Sequence, residues 1–146
     1  MDIKVSYTIS APVSRVFEAI VDPDMVKQWL AGLSEFRFTG SQDREIGSRF
    51  VQVWDESGDL YELVGKIVDY EQNERYSIEL IGKGISVKVD YALKEDGELT
   101  QITQQTHVAY TGLIRVLSKL TRRFTVKSYK KTLDENYQKL AILLAG

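Results

Sequence analysis

The sequence predicts an α+β fold, with one strand, two short helices, a meander of six further strands and a long closing helix. Three observations point to it. From Ser34 onward, for about seventy-five residues, apolar and polar side chains alternate with a period of two, interrupted only by turn signals. The stretch from Ala11 to Leu30 and the last third, Thr111 to Gly146, carry apolar residues at helical spacing instead. The connections in the alternating stretch are short, which favours antiparallel neighbours, and an antiparallel sheet can bury one face and wet the other.

In chain order, Ile3, Val5, Tyr7 and Ile9 alternate with Lys4, Ser6 and Thr8 as a half-buried strand. Ser10-Ala11-Pro12 is a helix-start signal, with Val13, Val16, Phe17 and Ile20 following on one face. Asp22-Pro23 starts a second short helix that places Val26, Trp29 and Leu30 together. Turns are expected at Gly40-Ser41, Ser57-Gly58, Gln72-Asn73, Gly82-Lys83-Gly84 and Asp96-Gly97. A final helix from Arg122 to Leu144 would put Val126, Tyr129, Leu133, Tyr137, Leu140 and Leu144 on one face. The earlier stripe of Leu113, Val116, Leu117, Leu120 and Phe124 points roughly opposite. A break near Leu120 to Arg123 follows, with Thr111 to Leu120 expected to act as part of a cavity mouth.

At 146 residues, 43% hydrophobic and 27% charged, the chain reads as one globular domain, 1–146, with enough apolar content for a core. Without cysteine, disulfides, thiol nucleophiles and Cys-based metal sites are ruled out. The start, MDIKVSYTIS, has neither a basic leader nor an apolar core, and the apolar run Leu140 to Ala145 is too short to span a bilayer, so a cytoplasmic location is expected. The closing third is basic, with Arg115, Lys119, Arg122, Arg123, Lys127, Lys130, Lys131 and Lys139 against Asp134 and Glu135, while the whole chain is −2. This is either a solvated face opposite an acidic sheet or a contact for an anionic partner, such as a membrane surface or an acidic head group. Nucleic acid is not expected as a partner, because the chain is slightly acidic and has no recognised binding motif.

The run Ile9-Ser10-Ala11-Pro12, then Val16-Phe17-Glu18-Ala19-Ile20, Asp22-Pro23, Trp29-Leu30 and Ile46-Gly47-Ser48-Arg49-Phe50, with the late amphipathic helix, resembles the START-like superfamily. That superfamily includes Bet v 1-like, SRPBCC and polyketide cyclase/dehydrase members, and the similarity covers the whole chain. The resemblance implies a helix-grip fold, in which a curved antiparallel seven-stranded sheet holds the long C-terminal helix around a deep apolar cavity. It implies lipid and hormone binders, cyclase or dehydrase enzymes, or a co-chaperone domain, and the fold does not choose among them.

In that fold, strand parity assigns the cavity face. Tyr76 and Ile78 point inward on one strand, Val89 and Tyr91 on the next, and Phe36, Phe38 and Tyr61 extend the surface. Tyr129, Leu133 and Tyr137 face it from the helix. Two strands break the apolar rule: Gln104 and Thr106 share the parity of Ile102 and Val108, and Gln52 shares that of Phe50 and Trp54. A buried amide without a partner costs about 1–3 kcal/mol, so each needs a neighbour or a ligand. Gln104 is expected to orient the polar end of a ligand, with Tyr76 or Tyr91 beside it.

No catalytic residues emerge. His107, the one histidine, has outer-face parity, and there is no Ser-His-Asp pattern, phosphate-binding glycine loop, dinucleotide fingerprint or clustered metal-ligand set. The sequence therefore predicts binding or carriage of a hydrophobic small molecule, a lipid or polycyclic aromatic compound, with no cofactor. A cyclase/dehydrase-like enzyme and a co-chaperone-like module are the alternatives.

Overall fold

The computed structural model describes residues 1–40, 44–110 and 125–145. Its strands are β1 (Asp2–Ile9), β2 (Leu33–Phe38), β3 (Arg49–Glu56), β4 (Asp59–Glu71), β5 (Arg75–Gly82), β6 (Ile85–Asp96) and β7 (Leu99–Tyr110). Its helices are α1 (Val13–Val21), α2 (Pro23–Trp29) and α3 (Val126–Leu143). The strands form one antiparallel sheet in the order β1-β7-β6-β5-β4-β3-β2, so the meander runs in sequence from β2 to β7 and β1 closes against its end.

At the β3–β4 turn, Ser57 and Gly58 both have positive φ, 52° and 91°, the pair of values that lets a two-residue connection follow the strands' twist. Register shifts between Leu33 and Glu35 and between Ile67 and Asp69 bend the sheet, giving it a concave face. Along that face Ile85, Val87, Val89, Tyr91 and Leu93 are all buried, while Lys88 on the other face is exposed.

The short helices close one end of the concave face. Asp22 caps α2 by accepting from the Met25 amide at 3.0 Å, and Pro23 occupies the first turn, where it forfeits no helical bond. Trp29, 1% exposed, donates its indole N–H to the Ala19 carbonyl at 2.8 Å and so pins α2 to α1. The Thr100 hydroxyl donates to the Ala11 carbonyl at 2.8 Å, tying β7 to the turn before α1.

Helix α3 starts at Val126 behind an N-cap at Thr125, four residues later than Arg122. Its 18 residues give about 27 Å of length. Leu133, Tyr137, Leu140 and Leu144 of the expected stripe are buried, but Val126 is 48% exposed. The correction is positional: among the described residues, the first helix–sheet hydrogen bond is made at Tyr129, one turn further in. Arg15 anchors the far end by donating to the Leu144 carbonyl at 3.2 Å. The expected break near Leu120 to Arg123, the opposite stripe and the mouth segment Thr111 to Leu120 lie outside the described residues. Among the described residues, no helix is long and apolar enough to cross a membrane.

Candidate functional site

Between the concave face and α3 lies a cavity of about 60 Å³. Gln52 and Trp54 line it from β3, Leu63 from β4, Ile78 and Leu80 from β5, Val87, Val89 and Tyr91 from β6, and Gln104 from β7. Leu30 closes one side, and Tyr129, Thr132, Leu133 and Asn136 come from α3. The volume is well below the roughly 300–1,000 Å³ of small-molecule sites. Among the described residues, the deep cavity that the resemblance implied is therefore a narrow one.

The polar groups are knitted together. Gln104, 3% exposed, donates through its amide nitrogen to the Thr106 hydroxyl and the Tyr129 hydroxyl, both at 3.1 Å. Its carbonyl accepts from the Tyr137 hydroxyl at 2.6 Å, and the Thr106 and Tyr129 oxygens lie 3.2 Å apart. The Tyr137 ring stacks on Tyr7 with centroids 4.1 Å apart and leans on Trp29 at 5.3 Å. Tyr7 in turn donates its hydroxyl to Asp134. Gln52 accepts from the Trp54 indole at 3.1 Å. The buried side chain of Asn136 accepts from the Ala31 amide at 3.1 Å and holds α3 to the loop after α2.

Of the residues expected at the site, Gln52, Trp54, Ile78, Val89, Tyr91, Gln104, Tyr129 and Leu133 line the cavity. The others are placed elsewhere, each for a packing reason. Phe36 and Phe38 gather around Phe50, 4.9 and 6.0 Å away, as a separate aromatic cluster. Tyr61 is half-buried opposite Trp54, close to the β3–β4 turn. Tyr76 lies one strand behind Tyr91, stacked on it at 6.1 Å and met edge-on by Tyr70. Thr106 is fully enclosed by its bonds to Gln104 and Tyr129, and Tyr137 is sandwiched as described. Of the two expected neighbours of Gln104, Tyr91 stands directly across the strand pair, while the amide's hydrogen bonds go to Thr106, Tyr129 and Tyr137. Asn136 and Thr132 were not anticipated. The position of Asn136, three residues after Leu133 and four before Leu140, was the available signal.

Burial pushes the Tyr76, Tyr91 and Tyr137 phenols well above their usual range, since a phenolate there would lose its hydration. These groups stay protonated donors and acceptors through the whole neutral range. A raised folded-state value means the stability is fully present below the unfolded phenol value of about 10 and is lost as pH rises above it, by up to about 1.4 kcal/mol per pH unit for each such tyrosine. An alkaline titration followed by phenolate absorbance and circular dichroism is expected to show these three ionising only together with unfolding. Their ionisation near pH 10 with the fold intact would contradict the enclosed geometry.

His107 sits on the outer face paired with Asp2, which holds that carboxyl below its usual range. Among the described residues, no group of three or more His, Cys, Asp or Glu side chains is placed to hold a metal ion.

The fold is shared widely. A conserved protein from Geobacillus kaustophilus superposes with a TM-score of 0.79 at 14% identity, covering 99% of this chain and 95% of its own. A START superfamily protein from Mycobacterium smegmatis gives 0.77 at 11% identity, covering 98% and 96%. Ara h 8.0201, of the Bet v 1 type, gives 0.73 at 12% identity, covering 99% and 97%. No curated protein matches the chain by sequence. A family model described as polyketide cyclase / dehydrase and lipid transport matches residues 1–141, and with the helix-grip architecture in place the chain belongs to that family.

Proposed function

We propose that this protein binds and carries a hydrophobic small molecule, a lipid or a polycyclic aromatic compound, in the space between the sheet and α3, as a single ligand-binding domain of the cytoplasm. The observation that supports this best is the lining: apolar side chains from β3 to β6 and α3, with a few neutral polar groups converging from β3, β6, β7 and the helix. Apolar burial supplies affinity in such a site and the hydrogen-bonding groups supply orientation. With about 60 Å³ open, loading requires lining side chains or the helix to move outward. The exposed Lys127, Lys130 and Lys131 near the start of α3 suit a transient contact with an anionic membrane during loading. Cosedimentation with anionic vesicles that disappears at high salt checks that contact.

Native mass spectrometry of gently purified protein, before and after incubation with lipid and polycyclic compounds, tests the main reading. A retained or acquired apolar compound is the expected result. A chain that stays bare throughout would remove the carrier reading. Conversion of a bound compound would move the assignment to the cyclase or dehydrase branch of the family.

A further inference from the structure

We infer that two copies of this chain associate back to back through the convex face of the sheet, about a two-fold axis that runs across β3, β4 and β5 along Val51, Val64 and Ile81.

The first support is an apolar row on the face that alternation leaves to water. Val51 pairs with Val64 in the β3–β4 register and Val64 with Ile81 in the β4–β5 register, so the three lie in line across the sheet. All three point away from the cavity, since their chain neighbours Gln52, Leu63 and Leu80 line it. Glu62 and Glu79 on the same face are exposed, as polar residues there should be, but so are Val64, at 48%, and Ile81, at 61%. Singly exposed apolar residues are ordinary, whereas a row of them across adjoining strands is the form a contact surface takes.

The second support is the charge on either side of the row. Along β4, Glu62 precedes Val64 by two residues and Lys66 follows it by two. On β5 the corresponding flanks carry Lys83, at the turn, and Glu79, which pairs with Lys66 in the register. A two-fold axis along the row reverses the strand direction between copies and leaves each strand over its own counterpart. Glu62 of one copy then meets Lys66 of the other, and Lys83 meets Glu79. Each contact occurs twice, so the patch is complementary to itself. None of these four side chains forms an ion pair with another described residue, while on the strands to either side Arg37 is held by Glu35 and Lys88 lies 3.9 Å from Asp90.

The arrangement is compatible with carriage. The cavity and α3 lie on the concave side of the sheet and stay open to loading in both copies. An interface centred on two exposed apolar side chains is small, so the pair is reversible and forms at high protein concentration.

Sedimentation velocity from about 1 μM to about 1 mM tests this, and the protein is expected to pass from monomer to dimer across that range. Ile81→Lys, at an exposed position, should abolish the dimer, because two like charges would meet on the axis. Glu62→Lys and Lys66→Glu should each weaken self-association at least about tenfold, since either change sets like charges against each other twice. An equimolar mixture of those two variants should dimerise as the unsubstituted protein does, because every contact at the two positions is then between opposite charges. Such recovery reports pairing between copies, since a folding defect in either variant would persist in the mixture. A protein that stays monomeric throughout the range, a dimer that survives Ile81→Lys, or a mixture that remains monomeric would each overturn the inference. The carrier reading stands or falls separately.

Discussion

Gly65→Ala is expected to destabilise the protein by about 3 kcal/mol, lowering its melting temperature by roughly 6–12 °C. Gly65 is buried in β4, and its φ is not positive, so alanine meets no backbone objection there. What it meets is a ring: an added Cβ would lie 2.1 Å from Cε2 and 2.2 Å from Cζ of Phe50, the residue paired with it across β3. Phe50 is fully buried, stacked on Phe36 at 4.9 Å and met by Phe38 at 6.0 Å, so displacing it displaces the cluster. Gly82→Ala is the informative comparison. There the new atom would lie 2.5 Å from a terminal methyl of Leu63, a flexible side chain beside the cavity, and relief by rotation keeps the loss below about 1 kcal/mol. Urea unfolding with unchanged m-values should separate the two variants. Equal losses would mean that the aromatic cluster yields as readily as a leucine.

Gln104→Leu is expected to cost about 2 kcal/mol of stability. The leucine keeps most of the volume but leaves the buried Tyr137 hydroxyl without its acceptor, while Thr106 and Tyr129 retain each other at 3.2 Å. Adding Tyr137→Phe removes the orphaned hydroxyl, so the double variant should recover about 1 kcal/mol or more. That recovery distinguishes a hydrogen-bonding role from a packing role, because a packing defect would accumulate with the second substitution. Ligand affinity should change little in Gln104→Leu, since the amide's bonds are spent inside the protein. A variant that holds its stability but loses affinity would show instead that Gln104 serves the ligand.

The sheet was legible because one of its faces is wet. A strand with one face in water must alternate, and the turn signals at Ser57-Gly58 and Asp96-Gly97 fall between β3 and β4 and between β6 and β7. Parity, however, reports the side a residue faces and not how deep it lies. Gln104 and Thr106 share a face of β7, yet Gln104 touches the cavity and Thr106 is enclosed. Phe36 points inward but belongs to the cluster around Phe50, and nothing in the alternation separates those cases. The partners of Gln104 were illegible for another reason: Tyr129 and Tyr137 reach it from 25 and 33 residues away, in a register that only the docking of α3 sets. Asn136 was overlooked because an apolar stripe is sought among apolar residues.

The placement of β1 beside β7 has a consequence for the order of folding. Strands β2 to β7 pair with sequence neighbours and close short loops, whereas Asp2 meets His107 across 105 residues. Chain closure over such a span is entropically costly, so this seam should form late and set a slow overall folding rate. During synthesis at about 5–20 residues per second, β1 is made some 5–20 s before β7, its strand partner among the described residues. For that interval its apolar alternation, Ile3 to Ile9, has no sheet to join, so β1 needs shielding until β7 is made.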